Sequence, residues 1–186
     1  MKKSIIWALV LLIVVAAFYR VIPNRPWGFA PQWAMALFAG ALIKDKKWAF
    51  ALPVFSMFLS DLLYQALYTY GWSEIPGFYK GQWVNYLLFA GITCIGFLMK
   101  RVNVLNIFGY SLVAPTAFFL VSNFMLWANG GGLHRPKTGA GLIQCYIDAL
   151  PFYGNSLVAT AVFSSVLFGG FYLFNRPGFK VNTVRM

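Results

Sequence analysis

The sequence predicts an all-α, polytopic membrane protein with six transmembrane helices and with its N- and C-termini in the cytoplasm. Hydrophobic residues make up 60% of the 186-residue chain and charged residues only 10%, whereas charged residues make up about 25% of a soluble domain. Six apolar stretches follow one another, most of them near the ~20 residues that a helix needs to cross a bilayer. Basic residues cluster in every second gap between these stretches. We therefore expect a single transmembrane domain over residues 1–186.

The first two predicted spans cover residues 4–20 and 31–44. The first follows a basic Met-Lys-Lys start, as in a signal peptide, but it lacks an A-x-A cleavage site, so we expect an uncleaved helix. The second is short, and a short span can tilt, enter the bilayer only partly or be shielded by its neighbours. Its Ala36 and Gly40 are four residues apart. Small residues at this spacing allow two helices to approach closely, although the feature can serve packing alone.

We predict the remaining spans over residues 48–70, 83–99, 105–128 and 153–174, and glycine and proline interrupt the gaps after the third and fifth spans. Pro115 falls inside the fifth span, where packing against neighbouring helices can compensate for its missing N–H. The gap 128–151 is the longest, and long irregular segments in compact domains are often lids or binding loops. It carries His134 and Gln144, both candidate ligand contacts, although a single loop histidine is more often simply solvated.

The distribution of basic residues predicts the orientation of the helices. The two termini and the second and fourth gaps hold 10 of them: Lys2, Lys3, Lys44, Lys46, Lys47, Lys100, Arg101, Arg176, Lys180 and Arg185. The other three gaps hold 5, namely Arg20, Arg25, Lys80, Arg135 and Lys137. Because loops rich in Lys and Arg stay in the cytoplasm, both termini are expected inside and the three longer, aromatic gaps outside.

Asp61 is an acidic residue well inside a predicted span. A carboxylate within the membrane is energetically expensive and normally faces the bundle interior or a cavity, so it marks a candidate binding site. Tyr64 follows at i+3, on the same face of the helix. Alternatively, Asp61 hydrogen-bonds Ser56, Ser60 or a neighbouring helix and only fixes the packing. The sequence leaves both interpretations open.

Asn123 and Trp127 lie four residues apart near the outer end of the fifth span, at the predicted depth of Asp61. A carboxylate, an amide and an indole at one depth suit a small polar or heteroaromatic ligand. Taken singly, Asn123 could be an amide that joins two helices, and Trp127 a residue of the interfacial aromatic belt. The predicted substrate-binding set is Asp61, Tyr64, Asn123, Trp127, His134 and Gln144.

The sequence carries no signature of an enzyme. G-x-S-x-G, H-E-x-x-H and phosphate-loop motifs are absent, so we expect a non-catalytic protein without a cofactor. One histidine and two separated cysteines make a tetrahedral zinc site difficult to build, and we expect no metal. The basic residues, which give a net charge of +11, flank apolar spans and do not form one patch. The expected partner is therefore the lipid bilayer and not a nucleic acid.

Several local patterns resemble a family of uncharacterised bacterial membrane proteins related to the substrate-binding S-components of energy-coupling-factor vitamin transporters. These patterns lie at residues 30–41, 60–62, 122–127, 138–146 and 149–155. The resemblance implies a multi-pass protein of the bacterial inner membrane, with a ligand pocket closed by outer loops. It also implies an energising membrane subunit with ATPases as partner. The first span carries Ala8 and Ala16-Ala17 in place of the A-x-x-x-A pattern at which such a subunit docks.

We therefore expect a membrane-embedded substrate-binding protein of S-component type, for uptake of a small vitamin- or cofactor-like nutrient. The alternative is a non-catalytic structural or accessory subunit of a larger membrane complex. In that case the small-residue faces and the aromatic residues would pack against helices of partner subunits.

Overall fold

A computed structural model describes residues 3–130 and 135–174, which form six α-helices. They are α1 (Lys3–Arg20), α2 (Gln32–Leu42), α3 (Lys46–Thr69), α4 (Trp83–Phe97), α5 (Val104–Ala128) and α6 (Gly139–Phe174). The first five begin and end within about two residues of the spans predicted from hydropathy. Apolar stretches bounded by Gly, Pro and charged residues therefore locate these helices well.

The prediction of an irregular segment up to residue 151, with a sixth helix over 153–174, is wrong. α6 begins at Gly139 and runs through Pro151, so Gln144 lies on a helix. Thr138 caps the new start, because its Oγ1 accepts a hydrogen bond from the Gly141 N–H at 3.1 Å. Gly141 does not mark a loop. It allows the helix to approach Pro136 closely, since a Cβ at this position would lie 2.0 Å from the Pro136 carbonyl oxygen.

Three of the described helices are long and apolar enough to cross a membrane: α3, α5 and α6. The apolar segments Val10–Arg20, Gln32–Leu42 and Trp83–Phe97 are shorter. The structure is thus all-helical, with membrane-spanning length and hydropathy in α3, α5 and α6.

α2 lies at the centre of the bundle. Of its 11 residues, 8 are buried, and it contacts α3, α4, α5 and α6. Its short length is therefore compensated by shielding from neighbouring helices. A Cβ on Gly40 would lie 2.3 Å from the Thr93 carbonyl oxygen and 2.8 Å from the Gly96 Cα. The predicted close approach at Gly40 is confirmed, and its partner is α4.

The segments that follow α1 and α3 lie at the same end of the bundle, where residues of both line one small cavity. The first of these segments contacts α6, where Asn155 Nδ2 donates to the Trp27 carbonyl at 2.8 Å. Gln82, at the end of the second, donates to the α3 residue Asp61. We call this end the loop end, and the candidate site lies there.

Candidate small-molecule site

A cavity of about 700 Å³ opens among the helices at the loop end. Every helix or its adjoining segment contributes to the wall, and the aromatic lining residues are Trp27, Trp33, Tyr79, Phe89, Phe118, Phe119, Phe152 and Tyr153. The polar lining residues are Arg20, Gln32, Asn85, Ser122, Asn123, Asp148 and Ser156. Aromatic walls with a few placed polar groups, enclosing roughly 300–1,000 Å³, are typical of small-molecule sites.

The segment after α1 forms one wall by packing directly on α6. Gly28 has φ +82°, and a Cβ there would lie 2.4 Å from the Phe152 carbonyl oxygen. Ser156 Oγ donates to the Gly28 carbonyl at 3.2 Å. Only glycine combines this positive φ with such close backbone contact, so Gly28 fixes the first segment against α6 and shapes the cavity.

Another part of the wall is a set of aromatic rings from α2, α5 and α6. Phe119 stacks on Tyr153 with ring centroids 4.5 Å apart, and the Tyr153 hydroxyl lies 2.7 Å from the Thr116 hydroxyl. Trp33 meets Phe118 edge-to-face at 5.4 Å. Such ring pairs are worth about 0.5–1.5 kcal/mol beyond their buried area, so the wall is held in place before any ligand binds.

Gln32 and Trp33, in the first turn of α2, are buried residues of the lining that carry polar atoms. Gln32 is 1% exposed and Trp33 8%. Gln32 Nε2 donates to the Ala16 carbonyl at 3.5 Å. Gln32 Oε1 and Trp33 Nε1 have no hydrogen-bond partner within the part of the chain that the structure describes. Each of these two atoms exposes less than 1 Å², so packed protein and not the open cavity surrounds it.

Asp61 does not line this cavity but forms a buried polar cluster beside it. Arg20 Nη1 lies 2.5 Å from Asp61 Oδ1 and 2.6 Å from Ser60 Oγ. Asp61 Oδ2 accepts from the Tyr86 hydroxyl at 2.6 Å and from Gln82 Nε2. Both carboxylate oxygens are thus occupied by groups from α1, α4 and the segment before α4. This geometry favours the interpretation that Asp61 fixes helix packing.

Tyr64 belongs to the same cluster and not to the cavity. Its hydroxyl donates to the Arg20 carbonyl at 2.8 Å, and its ring lies 5.8 Å from the Arg20 guanidinium carbon. It lines a smaller cavity of about 300 Å³ under the segment after α1. Tyr64 therefore helps to position Arg20, the one residue shared by the cluster and the large cavity.

Of the remaining predicted site residues that the structure describes, Asn123 alone lines the cavity. Its Nδ2 donates to the Phe119 carbonyl within α5 at 2.8 Å. Trp127 points to the α5–α6 connection, where its Nε1 donates to the Pro136 carbonyl at 3.0 Å. Gln144 donates to Asp148 at 3.0 Å and so supports a lining residue. His134 lies outside the described residues.

The charges of the lining are paired. Arg20 is neutralised by Asp61, and Asp148 Oδ2 lies 2.8 Å from Arg135 Nη2. Burial, and next the nearby Asp61 carboxylate, raise the pKa of the Tyr79 hydroxyl. Tyr79 therefore stays protonated and neutral at physiological pH. A cavity with paired charges favours an uncharged ligand, because an unpaired charge is costly to bury.

Sequence reasoning missed Arg20, Gln32 and Trp33 as site residues. The pattern of basic residues indicates only that Arg20 flanks a span. A buried carboxylate such as Asp61 requires a cationic partner, however, and Arg20 is a basic residue at the same end of the bundle. Gln32 begins a short helix whose other residues are apolar. A polar residue on a short, shielded span was the available signal, whereas Phe118, Phe119 and Tyr153 carry no pattern that separates cavity walls from lipid contacts.

The fold and the cavity together define an all-helical protein of membrane type with an internal, aromatic-walled site. The chain belongs to a family of unknown function, DUF6580, which matches residues 1–181. No curated protein and no solved structure matches the chain.

Proposed function

We propose that this protein is a membrane-embedded substrate-binding protein of S-component type that captures a small vitamin- or cofactor-like nutrient. The observation that carries the proposal is the cavity of about 700 Å³ at the loop end. Its aromatic walls suit a flat ring, and its polar groups suit a ligand with a few hydrogen-bonding atoms. The resemblance to S-components supports uptake as the purpose of binding.

The proposed setting is the bacterial inner membrane, crossed six times, with both termini in the cytoplasm and the loop end outside. The excess of basic residues at the opposite end supports this orientation. Cysteine accessibility tests it: Glu74→Cys lies in the segment between α3 and α4, and Val102→Cys between α4 and α5. In intact cells, a membrane-impermeant maleimide should label Glu74→Cys above the parent background and leave Val102→Cys unlabelled. The reverse pattern would invert the proposed topology.

An energising membrane subunit with ATPases is the proposed partner. It must dock on a surface of this protein other than the small-residue face of the first helix. Ala16 and Ala17 of α1 are 2% and 0% exposed. Ala16 packs with Met35 and Ala39 of α2 inside the bundle. These small residues serve packing within the chain, so a partner would dock on another surface, or the protein would act alone.

The proposal is tested by what the protein carries when purified. The full chain would be isolated from its own membranes in mild detergent, and the small molecules released on denaturation would be identified by mass spectrometry. Ala149→Phe places a ring in the cavity wall. Leu150→Phe, on the next residue, is the matched control because Leu150 is 50% exposed and does not line the cavity.

We expect one compound in the wild type and in Leu150→Phe, and its loss in Ala149→Phe. An equal amount in Ala149→Phe, or none in any preparation, would contradict the proposal. Stoichiometric recovery of other membrane subunits without any small molecule would favour an accessory subunit of a larger complex.

A further inference from the structure

We propose that the cavity recognises an uncharged aromatic ligand through a carbonyl oxygen, and that Arg20 and Tyr79 donate hydrogen bonds to that oxygen. This inference rests on the proposed function and names the chemical class of its ligand. It assigns recognition to the end of α1 and to the segment before α4, whereas the sequence pointed to Asp61 on α3.

The Arg20 guanidinium has one nitrogen occupied and two nitrogens without partners. Nη1 donates to Asp61 Oδ1 at 2.5 Å and to Ser60 Oγ at 2.6 Å. Nε and Nη2 donate to no group in the part of the chain that the structure describes. Packing does not enclose these two nitrogens, and 23% of the side chain stays exposed. The N–H groups of this free edge are therefore available to a ligand.

The surroundings of Arg20 indicate that its free edge borders the large cavity. Arg20 lines the cavity of about 700 Å³ and not the smaller one. Its carbonyl oxygen is occupied by the Tyr64 hydroxyl at 2.8 Å and by Arg25 Nε at 3.2 Å, which leaves the side chain to form the wall. Ser60, which accepts from Nη1, donates to the carbonyl of Met57 at 2.7 Å, and Met57 lines the same cavity. A ligand in the cavity can therefore reach the guanidinium.

Tyr79 provides a second donor beside Arg20. It is 53% exposed and lines the same cavity. Its hydroxyl oxygen accepts from Asn85 Nδ2, and among the described residues the hydroxyl proton has no acceptor. Burial and the Asp61 carboxylate raise the pKa of this hydroxyl while the Arg20 cation opposes them, which means that these groups lie close together. Tyr79 thus stays protonated and can donate next to Arg20.

The charge balance favours a carbonyl over a carboxylate. The cationic lining residue Arg20 is paired with Asp61, and the anionic lining residue Asp148 with Arg135. A ligand carboxylate would add a negative charge for which the described lining has no unpaired cation, and an unpaired charge is costly to bury. A carbonyl oxygen accepts the same hydrogen bonds and leaves both pairs intact.

The test uses a matched pair of naphthalenes and one anion. 2-Acetylnaphthalene has the carbonyl oxygen, 2-isopropenylnaphthalene has a CH₂ group in its place at similar shape, and 2-naphthoate is the anion. Binding to the full chain in nanodiscs would be measured by calorimetry, with empty nanodiscs as blank. We expect the ketone to bind tightest, about tenfold tighter than the alkene, because only the ketone accepts hydrogen bonds.

Infrared spectroscopy reports the same hydrogen bonds directly. The carbonyl stretch of the bound ketone would be isolated as the difference between spectra of the unlabelled and the isotope-labelled compound. Donation from Arg20 and Tyr79 weakens the C=O bond, so the stretch should lie at lower frequency on the protein than in empty nanodiscs. An unchanged frequency would contradict the proposed contact.

Substitutions then assign the donors. Arg20→Lys keeps a cation for Asp61 but removes the free edge of the guanidinium, and Tyr79→Phe removes only the hydroxyl. Each should lower the affinity ratio of ketone to alkene, and together they should bring it to about one. Arg101→Lys and Tyr70→Phe are the matched controls, because both residues are exposed and line neither cavity. They should change neither the ratio nor the carbonyl frequency.

Several results would overturn the inference. Equal affinity for ketone and alkene in the wild type would exclude recognition of the oxygen, and tightest binding of naphthoate would exclude an uncharged ligand. A merely structural role of Arg20 or Tyr79 would weaken both probes equally and keep their ratio. Because Tyr79 is exposed, Tyr79→Phe keeps the test decisive if Arg20→Lys is unstable. If no probe binds while a co-purifying compound is found, the ligand class is wrong and the proposed function stands. If no compound is found and no probe binds, both fail.

Discussion

Replacement of Asp61 by asparagine tests whether this carboxylate holds the bundle together. The substitution keeps the shape of the side chain but removes the charge that pairs with Arg20 at 2.5 Å. It also replaces one acceptor oxygen with an NH₂ group, which would face either Arg20 at the Oδ1 position or both Tyr86 and Gln82 at the Oδ2 position. Removing one partner of a buried ion pair costs about 3–5 kcal/mol. We expect about 3 kcal/mol, the lower end of that range, because the Arg20 side chain keeps 23% of its exposure.

The free energy of unfolding would be measured by titration with SDS in mixed micelles. Glu74→Gln is the matched control, since Glu74 is exposed and the chemical change is the same. Its effect should stay within about 0.5 kcal/mol. The paired replacement Arg20→Met with Asp61→Asn should cost less than Asp61→Asn alone, because it leaves no unpaired charge and keeps one side-chain oxygen for Tyr86 and Gln82. An Asp61→Asn protein with wild-type stability would refute the structural role and restore Asp61 as a candidate ligand contact.

Three further predictions address packing, the helix start and the division of roles near the cavity. Gly40→Leu should lower the free energy of unfolding by at least about 1–3 kcal/mol, because its Cβ meets α4 backbone. Gly91→Leu, with nothing within 4 Å of the added Cβ, should have little effect, and equal losses would contradict the close approach. Thr138→Ala removes the cap of α6 and should cost about 1 kcal/mol, measured in the same titration; no change would place the helix start elsewhere. Trp127→Phe should leave affinity for the co-purified compound unchanged, whereas Asn123→Ala should weaken it, as measured by calorimetry. Weaker binding in Trp127→Phe alone would contradict the placement of Asn123, and not Trp127, in the cavity wall.

The helices could be predicted from the sequence because hydropathy and breakers act locally. Glycine, proline and charged residues identified the ends of the first five helices, and the pair Ala36 and Gly40 indicated a tight helix contact. The start of α6 was missed because Gly139, Gly141 and Pro151 look like breakers in isolation. In the fold, a capping threonine and a close contact with Pro136 make the same region helical.

The site was harder to predict because it depends on which polar groups find partners. Asp61 is conspicuous on its own helix, but its neighbours across the bundle occupy both of its oxygens. Gln32 and Trp33 are less conspicuous, since their place in the cavity wall depends on how α2 packs among the other helices. The depth of a residue along its helix could be estimated from the sequence, and this estimate selected Asn123, which lines the cavity. The direction in which a side chain faces could be determined only from the folded structure.

The most direct test is the identity of the occupant of the cavity in a crystal or cryo-EM map of the full chain purified from its own membrane. The account predicts density of a small molecule within the cavity of about 700 Å³, in contact with its aromatic walls. A lipid acyl chain there, or ordered water alone, would contradict it.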